Sequence, residues 1–324
     1  MKRRVFAAAI AAIACIASAN ARAQEPAGET IRLIVAYAPG GTGDFVARVI
    51  APRLQAAVGQ PVIVENKPGA SGNIGARAVA SAKPDGLTFL VGQTGEAAIN
   101  KHWLPNQNFD SDVELVPVAF LADSPLALVV PAASPWPTMA DFIAGAPKAT
   151  KPLTYANSGI GTPSYFAGEW LKARLKIKAE TAAYGGAGPA LNDLIGGHVD
   201  YYFPGLPPAM PQAKAGMLKI IAVSSGKRAQ AAPDIPTIAE AAGIPDYQLT
   251  LWAALFAPKG APPALVQKFN REVNKIVAQP DVARQLLEAG AETRIMSDVE
   301  TAAFVHAESA KYQAIIKETG VKAE

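Results

Sequence analysis

The chain has 324 residues, of which half are hydrophobic and 18% charged, with a formal net charge of +3 and a single cysteine. A chain of this length and apolar content buries a sizeable core in one large or two ordinary domains, which excludes a disordered protein. One cysteine excludes a disulfide-stapled miniprotein.

The basic excess sits at the start. Lys2, Arg3 and Arg4 precede an apolar run from Val5 to Ala17, and Ala21-Arg22-Ala23 fits the small-x-small rule for cleavage before Gln24. This pattern predicts a secretory signal peptide over 1–23 and a periplasmic destination. Ala12-Ile13-Ala14-Cys15 lacks the large aliphatic residue three positions before a lipoprotein cut, so lipidation at Cys15 is not expected. Removing 1–23 would leave 301 residues with 26 basic and 27 acidic side chains, a net charge of −1 and no cysteine. A thiol-free chain suits an oxidising compartment. With the charge assigned to the export segment, and no Lys/Arg run interleaved with aromatics downstream, nucleic acid is not an expected partner.

From Ile31 onward the pattern alternates. Ile31–Ala38 reads as a buried strand, broken by Pro39-Gly40-Gly41-Thr42-Gly43, and Asp44–Ala57 as a helix with Val46, Val49, Ile50 and Leu54 on one face. Strands are predicted at 61–65 and 87–91, helices at 73–82 and 97–103. Further strands are expected at 115–121 and 126–130 with a Pro-containing break between them, then at 153–156, 181–184, 199–203, 219–223 and 252–256. Helices are expected at 139–144, 163–175, 189–195, 263–277, 282–289 and 299–317. Alternation of this kind predicts the α/β class, with mainly parallel sheets flanked by helices. Two such sheets are expected, each with too few strands to account for the whole chain. The expected layout is two lobes: 24–124 plus 250–324 as lobe 1 and 125–249 as lobe 2.

Three Gly-rich turns connect a strand to a helix: Pro39–Asp44, Ser158–Ser164 and Tyr184–Pro189. The first N–H groups of a helix have no internal partner and carry partial positive charge, so such a turn attracts anions, and glycine lets a ligand approach the backbone. Each turn alone also reads as simple punctuation, with Thr42, Asp44 and Thr162 as caps. Gly41-x-Gly43-x-x-Val46 partly imitates a dinucleotide fingerprint, and Glu65 falls where a ribose-binding acid would lie, but the third glycine is missing. No Walker lysine follows any turn. His102, His198 and His306 are scattered, no nucleophile elbow surrounds a serine, and no carboxylate pair is marked out by spacing. No catalytic residue, metal or cofactor is therefore expected. A secreted α/β hydrolase-like enzyme remains the alternative class.

The chain resembles the substrate-binding receptors of tripartite tricarboxylate transporters, the Bug family. The stretches that carry the resemblance are Tyr37–Asp44 with Ala47-Arg48, Gly59–Gly75, Pro84-Asp85-Gly86, Tyr155–Ser164, Tyr184–Asp200, Pro233–Glu240 and Leu255–Pro262. They span essentially the whole chain after the signal segment. The resemblance implies a two-lobe "Venus flytrap" of the periplasmic-binding type II class without catalysis. It implies a small mono- or dicarboxylic acid in the inter-lobe cleft and delivery to integral membrane transporter subunits, by a monomeric receptor. A loaded receptor docking on a membrane signalling protein is the variant role. Carried onto this chain, the ligand-binding residues are Pro39, Gly40, Gly41, Thr42, Gly43 and Asp44 of the first turn, and Ser158, Gly159, Gly161, Thr162, Pro163 and Ser164 of the second. Gln93 and Thr94 lie in a loop at the expected cleft wall that departs from the family pattern, as does Pro204 after the Tyr201-Tyr202-Phe203 strand. Tyr37, Tyr184 and Phe203 could select a flat ligand or pack beneath the turns.

Overall fold

The protein is described by a computed structural model covering residues 28–104 and 109–321. The predicted signal segment and Cys15 lie outside the described residues.

The alternating pattern forms two five-stranded sheets. The first is built from β1 (Ile31–Val35), β2 (Val62–Asn66), β3 (Thr88–Gln93), β4 (Leu115–Pro125) and β10 (Thr250–Pro258), in the order β2-β1-β3-β10-β4. The second is built from β5 (Ala127–Pro131), β6 (Leu153–Asn157), β7 (Ala179–Ala183), β8 (Tyr201–Tyr202) and β9 (Leu218–Val223), in the order β7-β6-β8-β5-β9. Each sheet is mixed. β2-β1-β3 and β7-β6-β8 pair in parallel, whereas β10 is antiparallel to β3 and β4, and β5 to β8 and β9. Four of the five strands in each sheet therefore run the same way, as the mainly parallel expectation has it, with β10 and β5 as the single reversed strands. The antiparallel strands are those flanking the inter-lobe crossings, where the chain arrives from the other lobe instead of through a right-handed helical crossover.

The helices, in chain order, are α1 (Thr42–Val58), α2 (Asn73–Ala80), a π-helical turn at Gly95–Ile99, α3 (Asn100–Trp103), α4 (Ser111–Glu114), α5 (Met139–Gly145), α6 (Pro163–Leu175), α7 (Ala187–Ile195), α8 (Leu206–Lys214), α9 (Ile238–Ala242), α10 (Pro263–Val277), α11 (Pro280–Glu288) and α12 (Asp298–Thr319). The pattern missed α4, α8 and α9. α8 was hidden by its prolines: Pro207 and Pro208 lie in the first turn, where the missing N–H costs nothing, and Pro211 is only one turn in. The predicted break before Leu126 is absent. β4 runs through Pro125, which ends the ladder opposite Thr250, so its missing donor interrupts little.

Each sheet is covered on both faces. Val46, Ile50 and Leu54 of α1 and Phe269 and Val273 of α10 close one face of the first sheet; Trp252, Phe120 and Phe256 pack on the other. In the second lobe Tyr155, Phe166 and Tyr201 form one core, and Leu191, Leu194 and Tyr202 the other. Neither core is a contiguous stretch of sequence. Ile99 and Trp103, ahead of the first crossing, pack into the second lobe, and α12 places Val305 in the first core and Tyr312 in the second. The crossing strands are tied by Ser224, whose Oγ accepts from Leu126 N–H (2.9 Å), whose N–H donates to Leu126 O (2.9 Å) and whose carbonyl accepts from Leu249 N–H (3.0 Å). Among the described residues no helix is long and apolar enough to cross a membrane.

Candidate functional site

The C-terminal ends of β1 and β6 face each other, so the Gly-rich turns that follow them meet between the lobes. They form a narrow cavity that opens to solvent at its mouth. The first lobe contributes Val35, Tyr37, Ala38, Gly41, Thr42, Asp44, Gln93, Gly95 and Leu251; the second contributes Ser158, Thr162, Pro163, Ser164, Ala187 and Gly205. The lobes touch across it: Ala38 N–H donates to Gly185 O at 2.9 Å, and Ser71 Oγ donates to Ile160 O at 2.6 Å.

Four helices begin at this cavity. α1, α7 and α8 start after Gly41, Gly186 and Gly205, none of which supplies a side-chain cap. α6 starts at Pro163 after Thr162, whose Oγ1 accepts from Tyr165 N–H. The first-turn N–H groups of α1, and those of α6 and α7 outside Pro163 and Pro189, have no helical acceptor and present positive potential to the cavity, whereas α8 opens with Leu206-Pro207-Pro208 and contributes its dipole more than N–H donors. Two hydroxyls share that wall. Thr42 Oγ1 and Ser164 Oγ are buried and make no hydrogen bond of normal geometry in the protein, Ser164 lying beside the Tyr202 hydroxyl, which is itself bonded to Ser158 Oγ at 2.6 Å. A buried hydroxyl left unpaired costs about 1–3 kcal/mol, so two of them lining one cavity mark a place for a ligand acceptor.

Among the described residues no lysine, arginine or histidine lines the cavity; its one ionisable carboxylate is Asp44. Burial opposes the charge of Asp44. Hydrogen bonds from Arg48 Nε (3.1 Å) and Gly40 N–H (3.0 Å), together with Asn66 and the Arg48 charge, outweigh burial and hold the carboxyl below its usual range. Asp44 therefore stands ionised and already paired, fastening the first turn. Tyr37 lines the wall, and its single hydroxyl proton is shared between Glu96 Oε2 (2.9 Å) and Ser71 O (3.1 Å). Glu96 is fully enclosed; burial pushes its carboxyl up to about 7, against hydrogen bonds from Gln93 N–H and Tyr37.

The structure brings Tyr37, Gly41, Thr42, Asp44, Gln93, Ser158, Thr162, Pro163 and Ser164 to the cavity wall and leaves the other expected residues behind it. Gly40 supplies the left-handed turn (φ 87°), while Gly41 has an ordinary φ of −89°. A Cβ on Gly41 would meet Ala187 Cβ at 3.7 Å, an ordinary contact, so bulk beyond Cβ is what the site would reject there. Pro39 lies against Gly188 of the opposite lobe, and Gly43 lies under the Gln93 amide. Gly159 and Gly161 adopt positive φ, and Gly161 packs on Trp103. Thr94 is buried behind the wall, where its Oγ1 accepts from Trp252 N–H at 3.0 Å and joins β3 to β10. Tyr184 turns to Asp193 of α7, donating to Oδ2 at 2.6 Å, and Phe203 is wholly inside the second core. Neither lines the cavity. Glu65, the would-be ribose acid, is engaged by both Arg32 Nε (2.7 Å) and Nη2 (2.8 Å), which accounts for it without a nucleotide.

The pattern missed Val35, Ala38, Gly95, Ala187, Gly205 and Leu251. Ala187 lies within the third Gly-rich turn, Tyr184–Pro189. Gly205 had a readable signal, a glycine before Pro207-Pro208 at a helix start. Leu251 had none, because only the return of β10 beside β3 brings it to the cleft. Among the described residues no cluster of histidine, cysteine or carboxylates could hold a metal ion.

Comparison with known proteins agrees with this architecture. Residues 46–321 match the tripartite tricarboxylate transporter family receptor profile. Protein BugT of Bordetella pertussis is 31% identical over 97% of this chain and 95% of its own length. The structure of R. palustris Rpa4515 with adipate superposes with a TM-score of 0.87 at 32% identity, covering 90% of this chain and 98% of that one. That of MatC (Rpa3494) from Rhodopseudomonas palustris with bound malate gives 0.83 at 32% identity, covering 89% and 98%.

Proposed function

The chain belongs to the tripartite tricarboxylate transporter receptor family, and from that premise we propose that it is a periplasmic receptor that holds a small carboxylate between its lobes and passes it to membrane transporter subunits. The supporting observation is the convergence of four helix N-termini with two unpartnered buried hydroxyls, Thr42 Oγ1 from one lobe and Ser164 Oγ from the other. A carboxylate accepts several hydrogen bonds at once and so satisfies donors from both lobes, making closure and binding one event. Oriented N–H dipoles take the place of a cationic clamp, and enclosure in a medium of lower dielectric strengthens each contact. The two similar structures carry adipate and malate, which places small dicarboxylates first on the panel. The reading is of a monomeric binding protein and not of a catalyst, with lobes 24–124 plus 250–324 and 125–249 and an export segment at 1–23.

Calorimetry against mono- and dicarboxylic acids tests it. Saturable binding of at least one acid is expected, without turnover. Thr42→Val and Ser164→Ala are each expected to weaken that acid about 10- to 100-fold, the value of a hydrogen bond to a charged acceptor. Response to sugars or cations alone, or unchanged affinity in both variants, would overturn the reading.

A further inference from the structure

We propose that Ser71 is the latch that holds the cleft closed, and that Tyr37 and Asn100 position it. Ser71 belongs to the first lobe and lies outside the cavity wall, yet its Oγ donates to Ile160 O of the second lobe at 2.6 Å. The loop that carries it is unusual. Gly69, Ala70, Ser71 and Gly72 all have positive φ, at 133°, 45°, 52° and 93°. For Ala70 and Ser71 this left-handed conformation is unfavourable, and it persists only where the surroundings impose it. Here the surroundings grip one atom. Ser71 O accepts from Tyr37 OH at 3.1 Å and from Asn100 Nδ2 at 2.8 Å, and Asn100 Nδ2 also donates to Asn73 Oδ1 at 2.7 Å. Tyr37, Asn73 and Asn100 all belong to the first lobe's stretch of chain, so the loop is held from its own side of the cleft. Its hydroxyl is the part of the loop that reaches the second lobe. The acceptor, Ile160 O, lies in the turn that leads into α6, the helix that brings Ser164 to the cavity. Tyr37 joins the two functions: its ring lines the cavity and its hydroxyl holds the latch loop. Occupancy of the cavity and engagement of the latch are thereby coupled through one side chain. Because the hydrogen bond exists only when the lobes touch, its contribution falls on the closed state alone and appears in ligand release.

The test uses Ser71→Ala, which removes the hydroxyl, and Ser71→Gly, which removes it and also relieves the left-handed backbone. Inter-lobe distance is followed by fluorescence energy transfer between dyes on Ala57→Cys and Ala215→Cys in a chain carrying Cys15→Ser. It is measured without ligand and with adipate, malate and the remaining acids of the panel. Both Ser71 variants are expected to lower the closed fraction and to release the bound acid about 10-fold faster, with association unchanged. The urea midpoint of the ligand-free protein is expected to hold in Ser71→Ala and to rise slightly in Ser71→Gly, where the left-handed strain is relieved. A passive structural role would instead lower the Ser71→Ala midpoint and leave the closed fraction and release rate as in wild type. Equal closed fractions and release rates in wild type and both variants, or a wild-type chain that never closes, would overturn the latch. The release measurement rests on the carboxylate reading and the closure measurement does not. Wild-type closure without response to any acid would keep the latch and remove the carboxylate reading.

Discussion

Gly205→Ala is expected to weaken ligand binding by about 100-fold while leaving both lobes folded. The added Cβ would overlap Thr42 Oγ1 and lie 3.3 Å from Thr42 Cβ, across the cleft. Nothing in its own lobe opposes the methyl: Gly205 has φ −62° and ψ 154°, a conformation open to alanine, and Pro207 Cδ is at an ordinary 3.7 Å. The clash is thus confined to the closed arrangement. Overpacking a tight contact costs about 1–3 kcal/mol, and here that cost weighs against closure alone. Calorimetry with the best acid of the panel and thermal unfolding of the ligand-free protein separate the two effects. A second substitution sharpens the test. Thr42→Ala in the Gly205→Ala background removes the overlapping Oγ1 and leaves the 3.3 Å contact, so part of the closure should return. A Gly205→Ala protein that binds as wild type does would show that the cleft closes less tightly than described.

Glu96→Gln is expected to raise stability above pH 7 by about 3 kcal/mol and to flatten the pH dependence below it. Burial holds the Glu96 carboxyl at about 7, whereas an exposed glutamate ionises near 4.5. Between these values the folded chain retains a proton that the unfolded chain has released, so stability falls as pH rises. The favourable contribution is fully present below about pH 4.5 and lost as pH climbs to about 7, and each pH unit across that interval is worth about 1.4 kcal/mol. Glutamine keeps an acceptor for Gln93 N–H and a polar partner for the Tyr37 hydroxyl without the charge. Urea unfolding at pH 5, 6, 7 and 8 checks this. Parallel wild-type and variant profiles would show that Glu96 ionises normally. The same carboxyl shares the Tyr37 hydroxyl with Ser71 O, so the variant bears on the latch loop as well as on stability.

Among the described residues, no cationic side chain lies in the wall of the cleft. A helix N-terminus offers N–H groups in fixed directions and needs no side-chain ordering on binding, whereas a lysine or arginine would lose rotamer freedom. Asp44 is consistent with this economy. Bound by Arg48 and Gly40 N–H, it fixes the turn that aims the α1 dipole and does not confront the ligand as an unpaired charge.

Much of this is legible in the amino-acid order itself. Local physics suffices wherever one element decides its own fate: β-branched runs for β1 and β9, an apolar stripe for α1 and α10, and glycines with a cap and Pro163 at the start of α6. The resemblance pointed to the cleft through the first two turns. What could not be read were decisions made between distant segments. The return of β10 against β3 makes the first sheet mixed and brings Leu251 to the cavity. The meeting of Gly205 with Thr42 turns an unremarked glycine into a closure contact. Tyr184 and Phe203 looked like pocket aromatics, but Asp193 captures one hydroxyl and the second core takes the other ring. The sequence by itself determined the α/β class, the export pattern and the helix ends that attract an anion, because each follows from nearest-neighbour geometry and composition. Only the tertiary structure decided which hydroxyls remain unpaired, which glycines face the opposite lobe and which serine bridges the cleft. Those properties belong to pairs of residues far apart in the chain, and neither member alone carries a sign of them.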